Sequence, residues 1–199
     1  MALTHVIHIA DLHIRTGNNT HARVDEYKHV FDNFYNDVKV LPYVAAGNAL
    51  LVIAGDVFHS KCRTEAASTK VFFEWINQLL DIMPIIVICG NHDYKQDDPH
   101  NTDSIEMMVA PYQKGTRRYD ITYLKDTGLY DNTFGNIVFG VVSVKDTLRE
   151  HNTAGIVDDL PPYPEPNSQQ CEDNKVKIAL FHGSITQSDL QSGTSVHGG

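Results

Sequence analysis

Hydrophobic residues along the chain gather in short runs set between longer amphipathic stretches. The runs Val6–Ala10, Leu50–Ala54, Ile85–Cys89, Ile137–Val144 and Val176–Phe181 read as strands, several of them apolar on both faces and therefore buried on both. Between the first two runs, Val24, Tyr27, Val30 or Phe31, Phe34 and Val38 recur every three or four residues and predict one helix. A second helix is predicted from about Thr64 to Asp81, with Val71, Trp75 and Leu79 on its inner face and Thr64 as N-cap. Alternation of strand and helix implies an α/β layered core. From Tyr119 to Val144 the strand-like pieces are separated by Asp126-Thr127-Gly128 and Asp131–Asn136. These breaks predict hairpins and an antiparallel or mixed second sheet. The polar, proline-rich stretch from Asp146 to Asn174 reads as an exposed excursion, with a short helix near Thr153–Leu160.

Polar clusters stand just past the ends of these runs: Asp11-Leu12-His13, Gly55-Asp56-Val57-Phe58-His59, Gly90-Asn91-His92-Asp93 and His182-Gly183. In α/β folds the loops at strand carboxyl ends converge, so these segments are expected to meet. Asp, His and Asn combine oxygen and nitrogen donors suited to divalent cations. A pair of such cations can activate water and hold a phosphoryl group, which points to phosphoester hydrolysis. Asp93 is expected to accept backbone N–H bonds rather than to bind a cation. Arg15, just past the first cluster, is either a phosphate contact or a solvated loop arginine.

Charge narrows the picture. The 199 residues hold 16 basic and 25 acidic side chains, a net charge of −9, which argues against a simple basic nucleic-acid-binding module. Bound cations would reverse the local field, so a nuclease is not excluded. Cys62, Cys89 and Cys171 show neither paired framework nor zinc spacing. No run is long enough to cross a bilayer, and an intracellular protein, in cytoplasm or nucleus, is expected.

Taken together and in this order, the four clusters resemble the calcineurin-like metallophosphoesterase superfamily. Within it, Gly-Asp-Val-Phe-His is similar to the form carried by SbcD-type nucleases of double-strand-break repair and their phage recombination counterparts. Arg23 with Asp25-Glu26, Thr102-Asp103-Ser104 and Phe139-Gly140-Val141-Val142-Ser143 add to that resemblance. It implies a four-layer αββα sandwich of two mixed β-sheets flanked by helices. It also implies two divalent cations, manganese first, with iron, zinc or magnesium as substitutes. One cation would take Asp11, His13 and Asp56, the other Asp56, Asn91 and His182, with Asp56 bridging. His92 would be the catalytic histidine, and His59 would orient or assist it; a buried histidine satisfied by backbone is the competing reading of His59.

The resemblance further implies DNA as substrate, an SMC-like ATPase subunit of the SbcC type as partner, a homodimer as a candidate assembly, and a viral or phage origin as one source. The family's last signature, Gly-His-X-His, is absent. His197, in Ser195-Val196-His197-Gly198-Gly199, is not expected to replace it. Residues 1–199 therefore read as a C-terminally incomplete metallophosphoesterase domain without a cap domain, expected to bind cations weakly and to hydrolyse slowly, if at all. A metallophosphoesterase acting on small phosphoesters and a catalytically silent scaffold remain the alternatives to the nuclease.

Overall fold

The computed structural model describes residues 3–15, 20–60, 65–94, 103–112, 115, 117–146 and 175–183. The expected excursion, its short helix near Thr153–Leu160, Thr64, Thr102 and His197 lie outside the described residues. The elements run β1 (His5–Ile9), α1 (Thr20–Lys39), α2 (Pro42–Ala45), β2 (Ala49–Ala54), α3 (Ala66–Leu79), β3 (Ile85–Ile88), α4 (Ser104–Val109), β4 (Ile121–Tyr123), β5 (Gly128–Phe134), β6 (Ile137–Val142) and β7 (Val176–Phe181). They form an α/β fold with a four-stranded sheet ordered β1-β2-β3-β4 and a three-stranded sheet ordered β5-β6-β7.

Why these runs become central strands follows from the two-residue period of a strand. Ala49, Leu51 and Ile53 of β2 face the helices, packing with Phe31, Val71, Trp75 and Leu79. Leu50, Val52 and Ala54 face the second sheet, packing with Ile137, Phe139, Val141 and Leu180. Both sets must be apolar, so β2 and β3 read as unbroken hydrophobic runs and are buried along their whole length. β1 is an edge strand, and its His5, Val6 and His8 are exposed.

The α1 periodicity resolves in favour of Phe31, which is buried and stacks on Trp75 with ring centroids 4.3 Å apart. Val30 faces solvent. α3 starts at Ala66 with the extended residue Glu65 as its N-cap and no side-chain capping bond. The expected Thr64 cap is thus displaced by one residue.

The first sheet is parallel throughout, whereas the second is mixed, with β5 antiparallel and β7 parallel to β6. The Tyr119–Val144 segment divides between them. β4 pairs with β3 (Ile85 opposite Ile121) and gives it the carbonyl of Asp120 and the N–H of Leu124. An unpaired β3 edge would leave those backbone groups without partners. Asp126-Thr127-Gly128 marks the switch between sheets, while Asp131–Asn136 is mostly strand, with the hairpin turn only at Gly135 and Asn136. Core residues from α1, α2, α3 and α4 pack together on one side of the first sheet. No helix of the described residues is long and apolar enough to cross a membrane.

Phe139, fully buried between the sheets, should be the most costly single truncation there. Phe139→Ala is expected to lower unfolding free energy by about 3–5 kcal/mol, measured by urea denaturation.

Candidate metal centre

The loops after β1 and β2 continue the parallel ladder beyond the strands. Asp11 N–H donates to the Gly55 carbonyl (3.1 Å), His13 N–H to that of Asp56 (2.9 Å) and Ile14 N–H to that of Val57 (2.9 Å). This zipper lays the first polar cluster against the second. Asp11, His13 and Asp56 all adopt left-handed backbone conformations, with φ of 56°, 45° and 52°. Non-glycine residues rarely do so, and each such residue costs of order 1–3 kcal/mol. Their concentration here turns the carboxylates and imidazole toward one point.

Ligand atoms of Asp11, His13 and Asp56 lie within 4.8 Å of one another. His13 Nε2 stands 3.7 Å from Asp11 Oδ1 and 3.5 Å from Asp56 Oδ2. The other oxygen of Asp56 faces His182 Nε2 at 3.3 Å and accepts the backbone N–H of His92 at 2.9 Å. Asn91 stands in the same turn, one residue before His92 and half-buried. His59 and His92 stack with ring centroids 5.6 Å apart, and His13, His59 and His92 make a second close group of nitrogens. The structure thus brings Asp11, His13, Asp56, His59, His92 and His182 into one cluster.

The fit to divalent cations rests on three observations. His182 Nδ1 donates to the Ala54 carbonyl at 2.7 Å, which turns Nε2 toward Asp56; histidines that bind metals are oriented in this way. Asp56 is buried, which alone would raise its pKa, yet the His182 ring and the His92 N–H outweigh burial and lower it. In return the Asp56 carboxylate raises His182 to about 9. A proton on His182 thus supplies the positive charge that this buried carboxylate requires, the part a cation takes when bound. His13 Nδ1 is buried and makes no hydrogen bond.

Two glycines make the close approach possible. A Cβ on Gly55, whose φ is +85°, would lie 2.5 Å from His182 Nδ1, and one on Gly90 would lie 2.1 Å from Asp56 Oδ1. Asp93 closes the turn as expected. Its carboxylate accepts N–H bonds from Val57 (3.2 Å), Phe58 (3.1 Å) and Gly90 (3.1 Å). Burial lifts its pKa to about 6 in spite of those bonds.

Two contributors, Tyr27 and Lys145, escaped the sequence reading. Tyr27, read as core, donates its hydroxyl to the His13 carbonyl at 2.9 Å and accepts the Arg15 N–H at 3.3 Å. Behind the Gly90–Tyr94 turn, Lys145 forms a buried ion pair with Asp103, which also accepts from the Tyr123 hydroxyl at 2.9 Å. Asp103 belongs to a segment whose resemblance was visible; Lys145 carried no signal. Arg15 Nη1 donates to His59 Nε2 at 3.3 Å, while partial desolvation, then Arg15, His13 and His92, lower the His59 pKa. Arg23 pairs with Glu26 at 2.7 Å, both exposed on α1.

Residues 4–199 match the model of the calcineurin-like phosphoesterase family. The chain is also 31% identical over 188 residues to an uncharacterized protein of Acanthamoeba polyphaga mimivirus, covering 92% of this chain and 12% of the viral protein. It therefore spans only a small part of that relative's length.

Two outcomes are expected for the cation-free protein. Because His182 has a folded-state value near 9 against an ordinary 6.5, the native state binds the extra proton. Its stabilising contribution is complete below 6.5 and disappears as pH rises through about 9. Thermal unfolding in chelator should show this decline, and His182→Ala should flatten it. Asp93→Ala, which strips three backbone donors of their acceptor, should destabilise by about 3 kcal/mol in chemical denaturation.

Proposed function

The chain belongs to the calcineurin-like phosphoesterase family of metal-dependent hydrolases, and from that premise we propose that it hydrolyses the phosphodiester bonds of DNA as a nuclease of the SbcD type. The observation that carries this reading is His59. The second loop presents a histidine beside His92 where the phosphatases of the family keep an aspartate. An imidazole at this position leaves the mouth of the site less negative than an aspartate would, which suits a substrate that brings further phosphates.

In this reading Asp11, His13 and Asp56 would hold one divalent cation, and Asp56, Asn91 and His182 would hold the other. The pair supplies an activated water and a clamp on the phosphoryl oxygens when bound. Manganese is the proposed metal, and iron, zinc or magnesium meet the same donor set. His92 Nδ1 donates to the His59 carbonyl at 2.6 Å. That bond fixes the ring and reserves Nε2 to bind the phosphate or pass a proton to the departing sugar oxygen. His59 is the positioning residue for His92.

With a net charge of −9, the chain by itself attracts nucleic acid weakly. An SMC-like ATPase of the SbcC type, a second copy of the chain, or both would supply the remaining phosphate contacts, and the action would be intracellular. The second reading, hydrolysis of small phosphoesters, draws on the same donors.

Cleavage of single-stranded DNA and of bis-p-nitrophenyl phosphate, each with manganese, magnesium, zinc or iron, separates the readings. Both substrates should be cut, at the slow rate expected of residues 1–199; activity confined to the small ester would favour the second. His92→Ala should lower turnover about 10²–10⁴-fold while cation binding by calorimetry is retained. Undiminished cleavage by that variant would mean His92 has no catalytic part.

A further inference from the structure

We propose that Arg15 binds the phosphate next to the scissile one along a nucleic-acid strand, so that the site prefers a polynucleotide to an isolated phosphodiester. This rests on the nuclease reading and adds a substrate contact to it. Arg15 follows the Asp11–Ile14 loop, and its backbone is held in place. Its N–H donates to the Tyr27 hydroxyl at 3.3 Å, and Tyr27 in turn grips the His13 carbonyl at 2.9 Å. The side chain is anchored as well, through the Nη1 bond to His59 Nε2 at 3.3 Å.

Among the described residues no carboxylate lies within ion-pair distance of this guanidinium. Asp11, four positions earlier and largely exposed, faces His13 instead. One N–H of the five on Arg15 is thereby used, and the residue is exposed. A guanidinium so oriented, with no carboxylate paired to it among the described residues, offers a planar fork that matches two oxygens of a phosphate. Its attachment point decides which phosphate. His59 lies 5.6 Å from His92 and 5.5 Å from His13, centroid to centroid, and Arg15 is bonded to its ring. The guanidinium is thus reached through one further imidazole from His92, beyond the group that meets the scissile bond. A strand that continues past that bond carries its next phosphate outward in the same way, whereas a small diester ends there.

The test compares Arg15→Ala and Arg15→Lys with the unaltered protein in the same divalent-cation buffer. Steady-state hydrolysis of a single-stranded oligonucleotide is set against that of bis-p-nitrophenyl phosphate, and fluorescence anisotropy follows oligonucleotide binding across salt concentrations. Arg15→Ala should lower kcat/KM for the oligonucleotide about tenfold more than for the small ester, mainly through KM. It should also reduce the slope of log affinity against log salt by about 1, and Arg15→Lys, which keeps the charge, should restore that slope. Equal losses on both esters would overturn the proposal, because Arg15 would then act through His59 on the step common to both. An unchanged salt slope in Arg15→Ala would overturn it too. Should the unaltered protein cleave the small ester and leave the oligonucleotide intact, the nuclease reading itself falls, and this inference with it.

Discussion

The carboxylate of Asp56 is the point on which the site is built. It is buried at the end of a central strand, in a left-handed backbone conformation, and its two oxygens face different loops. One meets His13, the other His182 and the N–H of His92. A buried anion is tolerated only when positive charge and hydrogen bonds surround it. The loops after β1, β3 and β7 are therefore drawn to it, and a protonated His182 balances it in the cation-free protein. That need for compensation is also what suits the centre to divalent cations.

Holding three loops against one carboxylate requires a backing. Asp93 supplies it from below by collecting the N–H groups of Val57, Phe58 and Gly90. Ser104 N–H donates to the Asp93 carbonyl at 2.9 Å, which ties the turn to α4. The first side chain beyond that bond is Asp103, N-cap of α4 and partner of buried Lys145. A chain of satisfied polar groups thus runs from the second sheet to the loop that carries Asn91 and His92. Such networks rigidify when every member has a partner. Rigidity is what a centre needs if its donors are to wait, preformed, for a cation.

Much of this was legible in the sequence for a local reason. β2 and β3 are apolar along their whole buried length, and polar residues appear only where the chain leaves them, so their donor clusters advertise their own position. The period of α1 and α3 likewise revealed Trp75 and its neighbours, although only packing could choose Phe31 over Val30. β4 was harder. A three-residue strand carries too short a pattern to name its partner, and the open edge of β3, far away in sequence, recruited it. Lys145, Tyr27 and the anchoring of Arg15 were invisible because a lysine, a tyrosine or an arginine looks the same in sequence whether solvated or gripped.

The order of residues alone settled the class of fold, the ends of the strands and the kinds of donor atoms available, since each of these is written in patterns a few residues long. Folding decided which oxygen of Asp56 faces which histidine, which sheet β4 joins, and that Arg15 leans on His59 instead of on Asp11. Those outcomes depend on contacts between segments tens of residues apart, where the burial of one group sets the charge and direction of another.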